Sequence, residues 1–239
     1  MTDTVLVIGA GDATGSAIVR KFADNGLNVV ASRRPVNTAK LEALASDSPG
    51  NIIPMAVDAR DEESMIALFD RIESEVGPLG CVVFNIGANV YFPIEETTSR
   101  VFRKVWEMAT FAGFLAGREA ARVMRPRGKG TIIFTGATAS MRGASGFSAF
   151  ASAKFGLRAL AQSMARELGP AGIHVAHLVV DSAIDTQWIA ENFPDRYALG
   201  AQDGLVKPED IAEIYWQLYK QPRSGWVHEL DMRPYLEKF

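Results

Sequence analysis

A glycine-rich turn near the start of the chain constrains the fold more than any other feature. An unbroken apolar run at residues 5–8 precedes it, which is typical of a strand buried on both faces in a parallel sheet. Gly9, Gly11 and Gly15 follow, and a helical pattern begins after them. Glycines at such a junction let a phosphate approach the bare amides at a helix N-terminus. The turn therefore predicts a dinucleotide site, and a turn that binds no ligand is the alternative.

Strand-like runs and helical patterns alternate along the rest of the chain. Asp61 is predicted to cap an amphipathic helix, and residues 97–124 are predicted to hold two helices joined end to end. The short links predict an α/β fold, a doubly wound parallel sheet of about seven strands with helices on both faces. Because no linker or internal repeat is visible, residues 1–239 are expected to form a single domain. The seven strands are expected at residues 5–8, 27–32, 51–57, 80–86, 131–135, 173–180 and 226–230.

Composition argues against several classes of protein. The net charge is only -3 and no basic stripe stands out, so a nucleic acid partner is not expected. No apolar stretch is long enough to span a bilayer and no signal peptide is recognisable, so we expect no membrane partner and a cytoplasmic location. The single Cys81 suggests a reducing compartment. Three histidines without a cluster of ligands predict no metal site.

Three stretches resemble the short-chain dehydrogenase/reductase family. The first turn resembles the family's G-x-x-x-G-x-G motif, with Gly9 and Gly15 in place and Ala13 at the middle glycine position. Residues 85–88 (Asn-Ile-Gly-Ala) resemble the family's Asn-Asn-Ala-Gly, and Lys154 stands at the position of the family's catalytic lysine. The resemblance runs from end to end and implies a Rossmann-like domain that binds NAD or NADP.

The resemblance also implies which residues meet the cofactor. The second strand ends in Ser32-Arg33-Arg34, where no acid is present to accept hydrogen bonds from a ribose 2'-hydroxyl. Arginine pairs with phosphate in a forked geometry, so NADP is expected in preference to NAD. Asp12 argues the other way, because some NADP-preferring relatives carry a basic residue there, and two solvated arginines are the alternative reading. The expected cofactor residues are Gly9, Gly11, Asp12, Ala13, Thr14, Gly15, Ser32, Arg33, Arg34, Asp58, Ala59, Asn85, Gly87, Lys154, Ile184 and Thr186.

The reaction centre departs from the family's pattern at three of four positions. The family uses a tyrosine as proton donor, a lysine four residues later that lowers its pKa, a serine that orients the carbonyl and an asparagine that supports the relay. Lys154 is retained, but Phe150 stands at the tyrosine position and Ala137 at the serine position. Thr110 aligns with the asparagine. Ordinary ketone reduction is therefore expected to fail, because positioned acid-base catalysis contributes about 10²- to 10⁴-fold.

Other side chains are candidates to replace the missing groups. Thr138 follows Ala137, and Tyr91 follows the turn after the fourth strand, where it could lean over the nicotinamide. An aromatic lining is the simpler reading of Tyr91. His177 lies on the sixth strand, and a core histidine is the more common case there. The candidate catalytic residues are Lys154, Tyr91, Thr110 and Thr138.

Two functions remain open from the sequence. One is an NAD(P)-dependent oxidoreductase with an atypical active site, acting on a substrate that needs no strong proton donor, such as an imine. The other is a catalytically inactive NADP-binding sensor or scaffold. Residues 182–204 resemble the family's substrate-covering segment, and their aromatic residues suggest a small apolar or aromatic substrate. A small-residue stripe within 97–124 packs either against the sheet or in the subunit interface that the resemblance implies, and a homodimer or homotetramer is expected.

Overall fold

Seven parallel strands form one sheet in the computed structural model, which describes residues 3–238. Their order across the sheet is β3, β2, β1, β4, β5, β6, β7. The strand order reverses between β1 and β4, and in sheets of this kind ligands bind outside the carboxyl ends of the strands at that point. The strands are β1 (Thr4–Ile8), β2 (Asn28–Ser32), β3 (Ile52–Pro54), β4 (Leu79–Phe84), β5 (Gly130–Ala137), β6 (Ile173–Val180) and β7 (Glu229–Met232).

Helices connect the strands and cover both faces of the sheet. The predicted cap of α3 is confirmed, because the Asp61 carboxylate accepts a hydrogen bond from the Ser64 amide at 2.7 Å. The predicted end-to-end pair is also confirmed, with a π-helical turn (Glu107–Phe111) between α4 and α5. The helices are α1 (Thr14–Asp24), α2 (Thr38–Ser46), α3 (Glu62–Glu75), α4 (Ser99–Trp106), α5 (Ala112–Met124), α6 (Ser148–Leu168), α7 (Gln187–Asn192), α8 (Pro194–Tyr197) and α9 (Pro208–Tyr219).

The first strand shows how the core is divided into two layers. Val5 and Val7 pack in a cluster with residues of α1 and α9, whereas Leu6 and Ile8 pack in a cluster with residues of α3, α5 and α6. Successive side chains of a strand point to opposite faces, so an unbroken apolar run is buried on both sides. This arrangement confirms the predicted doubly wound fold.

The third and the last strands differ most from their predicted bounds, and the other strands begin and end within two residues of theirs. The third strand was predicted over 51–57 but spans only Ile52–Pro54, although the amides of Met55 and Val57 still donate to the carbonyl groups of Ala31 and Arg33, each at 3.0 Å. The last strand was predicted over 226–230 but spans Glu229–Met232. The Val227 amide donates instead to the side chain of Gln221 at 2.7 Å, so this part of the chain lies outside the strand.

The small residues of α5 belong to the core of the chain itself. Ala112, Ala116 and Ala120 are buried in the cluster beneath α5, and a Cβ at Gly113 would lie 2.4 Å from the Leu157 side chain. Of the two readings left open by the sequence, packing against the sheet is the correct one for these residues.

Candidate active site

The turn after β1 has the shape that a bound phosphate requires. Gly9 has φ +93°, a conformation that favours glycine, and its amide donates to the Ser32 carbonyl at 2.8 Å. A Cβ at Gly15 would lie 2.3 Å from the Gly9 carbonyl oxygen, whereas one at Gly11 would meet nothing closer than 4.0 Å. No side chain caps α1, which begins at Thr14 directly after Ala13. The first-turn amides of α1 thus suit an anion, and the predicted cofactor fits this turn.

A cleft of about 250 Å³ opens beside this turn. Half of the predicted cofactor residues lie on its wall: Gly9, Gly11, Arg33, Arg34, Asp58, Ala59, Asn85 and Gly87. Ser32 is instead fully buried, and its hydroxyl has no hydrogen-bond partner among the described residues. Its contribution comes from its carbonyl oxygen, which accepts from the amides of Gly9 and Ala10.

Arg60 is a cleft residue that the sequence analysis missed. Its Nε donates to the Asp58 carboxylate at 2.9 Å and its amide donates to the same oxygen at 3.1 Å. The side-chain hydrogen bond from Arg60 lowers the pKa of Asp58 below its usual value. The sequence signal that could have identified Arg60 is its position two residues after an acid, Asp58, beyond the third strand. The cofactor contact predicted for Asp58 would have to share this carboxylate with Arg60.

Asp12 binds two cations, one of which, Arg33, lines the cleft. Its carboxylate accepts from the Arg33 guanidinium at 2.7 Å and also binds the ammonium of Lys40 on α2. The hydrogen bond from Lys40 and then that from Arg33 lower the pKa of Asp12. Lys40 was not predicted, because nothing in the spacing of α2 relates it to a turn 28 residues earlier.

Buried hydrogen bonds connect the first turn to the middle of the sheet. The amide group of Asn85 donates to the Gly9 carbonyl at 3.2 Å, and its oxygen accepts from the Thr135 hydroxyl at 3.1 Å. The Thr135 hydroxyl is also hydrogen-bonded to the hydroxyl of Tyr215, which is fully buried. Burial raises the pKa of Tyr215, so this phenol stays neutral. Asn85 is therefore held from both sides.

Lys154 lies where the turn after β4 meets the end of β5. Its ammonium donates to the Thr135 carbonyl at 2.8 Å and to the Ile86 carbonyl at 3.3 Å. The side chain is only 2% exposed, and burial lowers the pKa of Lys154 to about 8. Phe150 precedes it by one helical turn, and the ammonium lies 6.0 Å from the centre of the Phe150 ring. Phe150 and Lys154 thus share a face of α6, as the sequence predicts.

Hydroxyl groups near Ala137 are already engaged with protein atoms. Thr138 donates its hydroxyl to the Asp181 carboxylate at 2.6 Å. The hydroxyl oxygen of Ser140 accepts from the Ala137 amide at 3.1 Å. The structure therefore commits the proton of Thr138, one of the candidate catalytic groups, to a neighbouring carboxylate.

Asp181, which follows β6 directly, is a fully buried acid. Arg142 donates to both of its carboxylate oxygens, at 3.0 and 3.1 Å, and Arg233 lies 3.5 Å away. Burial by itself raises the pKa of Asp181, but the hydrogen bonds from Thr138 and Arg142 lower it below its usual value. The group stays ionised and fixes the loop after β5 to the end of β6.

Three further residues named from the sequence, Thr110, Tyr91 and His177, differ in their surroundings. Thr110, in the π-helical turn, donates its hydroxyl to the Ala153 carbonyl at 2.7 Å. Tyr91 is exposed and packs edge-on against Phe147, with ring centres 5.3 Å apart. His177 is fully buried, contacts Glu229 at 3.0 Å, and has its pKa lowered to about 4 by burial. His177 is a neutral core residue, in line with the simpler of its two readings.

The region predicted to cover the substrate contains two short helices, α7 and α8. Thr186 caps α7 by accepting from the Ile189 amide at 3.3 Å, and Ile184 forms an isolated parallel bridge with Val206. Arg196 binds Glu237, which also accepts a hydrogen bond from Ser182 at 2.8 Å. The exposed aromatic residues here are Trp188, Phe193 and Tyr197.

Within residues 3–238, no helix is both long and apolar enough to cross a membrane. The same residues contain no group of three or more His, Cys, Asp or Glu side chains that could hold a metal ion.

Comparison with solved structures and characterised proteins gives several close matches. A crystal structure of a short-chain dehydrogenase from Rhodopseudomonas palustris is 50% identical, covers 98% of this chain and 99% of that one, and superposes with a TM-score of 0.83. The (21S)-21-acetoxyl-apo-melianone synthase SDR of Melia azedarach is 31% identical over 172 residues, which are 71% of this chain and 63% of that protein. The chain thus spans somewhat less than two thirds of that relative.

A third relative is named for binding rather than for catalysis. The cyclic-di-GMP-binding biofilm dispersal mediator protein of Escherichia coli (strain K12) is 28% identical over 234 residues, 95% of each chain. The family model for short chain dehydrogenases matches residues 3–196, which include the glycine turn, Lys154 and the strands between them. The chain therefore belongs to the short-chain dehydrogenase family.

Proposed function

We propose that the protein is an NADP-dependent oxidoreductase whose substrate accepts a hydride without a strong proton donor, such as an iminium compound. The observation that carries the proposal is the pair formed by Phe150 and Lys154. The ammonium is buried, oriented by two carbonyl groups and one turn from a side chain that has no proton to give. The lysine that the family uses to bind the ribose is retained as Lys154, and the tyrosine that donates the proton is replaced by Phe150.

The cofactor half of the site supports NADP. Arg33 and Arg34 line the cleft, and the positions after β2 offer no acid to a ribose 2'-hydroxyl. The glycine turn and the uncapped N-terminus of α1 suit the pyrophosphate. When bound, NADPH supplies a hydride. Lys154 would then bind a ribose hydroxyl, as the family resemblance implies, with an ammonium whose pKa of about 8 keeps it largely protonated at neutral pH.

The substrate proposal rests on whether the product of hydride transfer needs a proton. A ketone that receives a hydride becomes an alkoxide and needs a proton, whereas an iminium carbon that receives a hydride becomes a neutral amine. Positioned acid-base catalysis contributes about 10²- to 10⁴-fold, and one donor to a developing oxyanion about 10²- to 10³-fold. Phe150 supplies no proton and Ala137 supplies no hydrogen-bond donor to an oxyanion. Ketone reduction would therefore be slowed, whereas reduction of an iminium needs neither group.

The surroundings of the centre favour a small apolar or aromatic substrate. Trp188 and Phe193 pack edge-on at 5.5 Å in the segment that we propose covers the site, residues 182–204. Tyr91 offers a further aromatic surface beside Phe147. We assign Tyr91 to the lining of the site, and we expect the protein to work in the cytoplasm, where NADPH is available.

A homo-oligomer fits the aromatic face of α4, α5 and α6. Trp106 stacks on Phe111 at 5.9 Å, and Phe111 stacks on Phe114 at 6.2 Å. Phe155 on α6 is 41% exposed, and Phe102, Trp106 and Phe114 are similarly exposed. Exposed apolar clusters of this kind mark protein interaction sites. We propose that this face, and not the small-residue stripe, is the contact between copies of the chain.

The second candidate function is a nucleotide-binding sensor or scaffold without catalysis. The loss of both proton donors favours it, and so does the Escherichia coli relative that is named for binding cyclic-di-GMP. Arg33, Arg34 and Arg60 would suit phosphates of either kind of ligand. Retained Lys154 serves ribose binding as well as catalysis, so it is compatible with both functions.

The two functions are separated by following NADPH absorbance with a panel of ketones, enones and cyclic imines. The oxidoreductase proposal expects turnover with at least one imine and none with simple ketones. Binding of NADPH, measured by the fluorescence of the reduced nicotinamide, without turnover of any imine, would favour the sensor. Absence of NADPH binding, together with tight binding of cyclic-di-GMP, would overturn the oxidoreductase proposal.

A further inference from the structure

Core packing does not hold the two short helices of the covering segment, residues 182–204. Neither α7 nor α8 contains a buried residue. The two ends of the segment are joined to each other, because the Asp185 amide donates to the Val206 carbonyl at 2.8 Å and the Val206 amide donates to the Ala183 carbonyl at 3.1 Å. The helices between these ends therefore depend on polar contacts for their position.

Arg196, on α8, provides such a contact. Its guanidinium binds the Glu237 carboxylate and donates to the Ser182 hydroxyl at 3.1 Å. The Ser182 hydroxyl donates in turn to the same carboxylate at 2.8 Å, so the three side chains close a triangle of hydrogen bonds. Within residues 3–238, no other side chain of α7 or α8 forms a hydrogen bond or an ion pair with a residue outside the covering segment. The polar connection of these helices to the rest of the chain thus depends on Glu237.

The C-terminal segment that carries Glu237 is itself anchored. Arg233 lies 3.5 Å from the buried carboxylate of Asp181, at the end of β6, and Pro234 is buried. The Glu237 amide donates to the Pro234 carbonyl at 3.0 Å, which closes a turn. The Glu237 side chain is 15% exposed, against 39% for that of Arg196, so the carboxylate is the more deeply set of the two partners.

We propose that Glu237 is a positioning residue that holds residues 182–204 over the substrate site by way of Arg196 and Ser182. The proposal rests on the proposed function, because it assigns a substrate site beneath this segment. A hydrogen-bonded ion pair is stronger than a neutral hydrogen bond, and local opening of α7 and α8 must break it. Removing the carboxylate thus raises the fraction of molecules in which the segment is open, and the open form binds substrate less well.

The substitution Glu237→Gln keeps the shape of the side chain and removes its charge. Chymotrypsin cleaves after exposed aromatic residues when the chain around them opens, and Trp188 and Tyr197 are such residues. Without ligands, cleavage after these two residues should be about two- to fivefold faster in the variant than in wild type. For an imine that the protein reduces, KM should rise by about two- to fivefold, since only the closed fraction binds well. The value of kcat should change less than about twofold, because Glu237 touches no reacting atom.

Asp195→Asn is the matched control, since it removes from the same helix, α8, a carboxylate that forms no ion pair in the described part of the chain. It should leave the cleavage rate and KM unchanged. Arg196→Glu should speed cleavage at least as much as Glu237→Gln does, and adding Glu237→Arg to it should return the rate toward that of wild type. Such a restoration identifies the ion pair itself as the cause, and it keeps the inference testable should Glu237→Gln be unstable.

The inference is overturned if cleavage after Trp188 and Tyr197 is equally fast in wild type and Glu237→Gln, or if Asp195→Asn speeds it as much. It is also overturned if cleavage becomes faster while KM for a reduced imine stays unchanged, because residues 182–204 would then not cover the substrate. The proposed function fails separately, if wild type neither binds NADPH nor reduces any imine. The two failures are distinguishable, because the cleavage measurement uses the free protein and needs no cofactor.

Discussion

The ammonium of Lys154 donates a hydrogen bond to the backbone carbonyl of Thr135 at 2.8 Å, across the gap between α6 and β5. The same Thr135 uses its hydroxyl to hold Asn85, which in turn donates to the Gly9 carbonyl of the phosphate turn. Thr135 thus connects the lysine to the turn through one residue. The residues that would bind the cofactor are thus held by hydrogen bonds, even though the family's proton-donating tyrosine is replaced by Phe150.

Burial of Lys154 predicts a specific dependence of stability on pH. The pKa of Lys154 is lowered to about 8 in the folded protein, against about 10.4 in the unfolded chain. Between these values the unfolded chain binds more protons, so the free energy of unfolding should rise with pH. Urea unfolding at about pH 7.5 and 9.5 should show a gain about 1 to 2 kcal/mol larger in wild type than in Lys154→Met.

Subtracting the Lys154→Met curve removes the contribution of all other groups that titrate equally in both proteins. Equal gains in the two proteins over this pH range would show that the ammonium is solvated, and would remove the basis for its role at the ribose.

Removing the guanidinium of Arg33 should weaken NADPH and spare NADH. Arg33 lines the cleft and is within reach of the position assigned to the 2'-phosphate. We expect Arg33→Ala to raise the NADPH dissociation constant about tenfold, because hydrogen bonds between charged groups are stronger than neutral ones. Titration of the nicotinamide fluorescence measures both cofactors. The exposed Arg20→Ala on α1 serves as control, and an equal loss for NADH and NADPH would show that Arg33 does not read the phosphate.

A charge on the aromatic face of α6 should separate the subunits. Phe155→Glu places a carboxylate within the proposed contact, where it would be desolvated without a partner. Light scattering should report the mass of one chain for this variant and a multiple of it for wild type. Val36→Glu, at a residue that is 83% exposed before α2, should keep the wild-type mass. A wild-type protein that is already monomeric would contradict the assignment.

The fold could be read from the sequence because its signals are local. The apolar run of β1, the glycines after it and the Asp61 cap are each set by neighbouring residues, and the structure places all three as expected. The ends of β3 and β7 could not be placed, because they depend on contacts made only in the folded chain. The amides of Met55 and Val57 continue to donate to β2 and the residue after it beyond Pro54, and the Val227 amide donates to the side chain of Gln221.

The ion pairs of the site could not be predicted from the sequence, for a different reason. Lys40 with Asp12 and Arg142 with Asp181 are pairs between residues 28 and 39 positions apart, and only the folded chain brings them together. The motif identified the turn and Lys154, but it did not identify the cations that pair with Asp12 and Asp181. Thr138 illustrates the limit, since its hydroxyl looked available in sequence and is bound to Asp181 in the structure.

Restoring the proton relay tests the central claim most directly. Phe150→Tyr adds one oxygen to a ring on the same face as Lys154, and Ala137→Ser adds a hydroxyl at the end of β5. The wild-type protein and the double variant that carries both substitutions would be assayed with NADPH and simple aryl ketones, after NADPH binding had been checked for each. We predict negligible reduction by wild type and measurable reduction by the double variant. Reduction of these ketones by wild type at ordinary enzyme rates, about 1 to 10³ per second, would contradict the account, because another acid would then be at work.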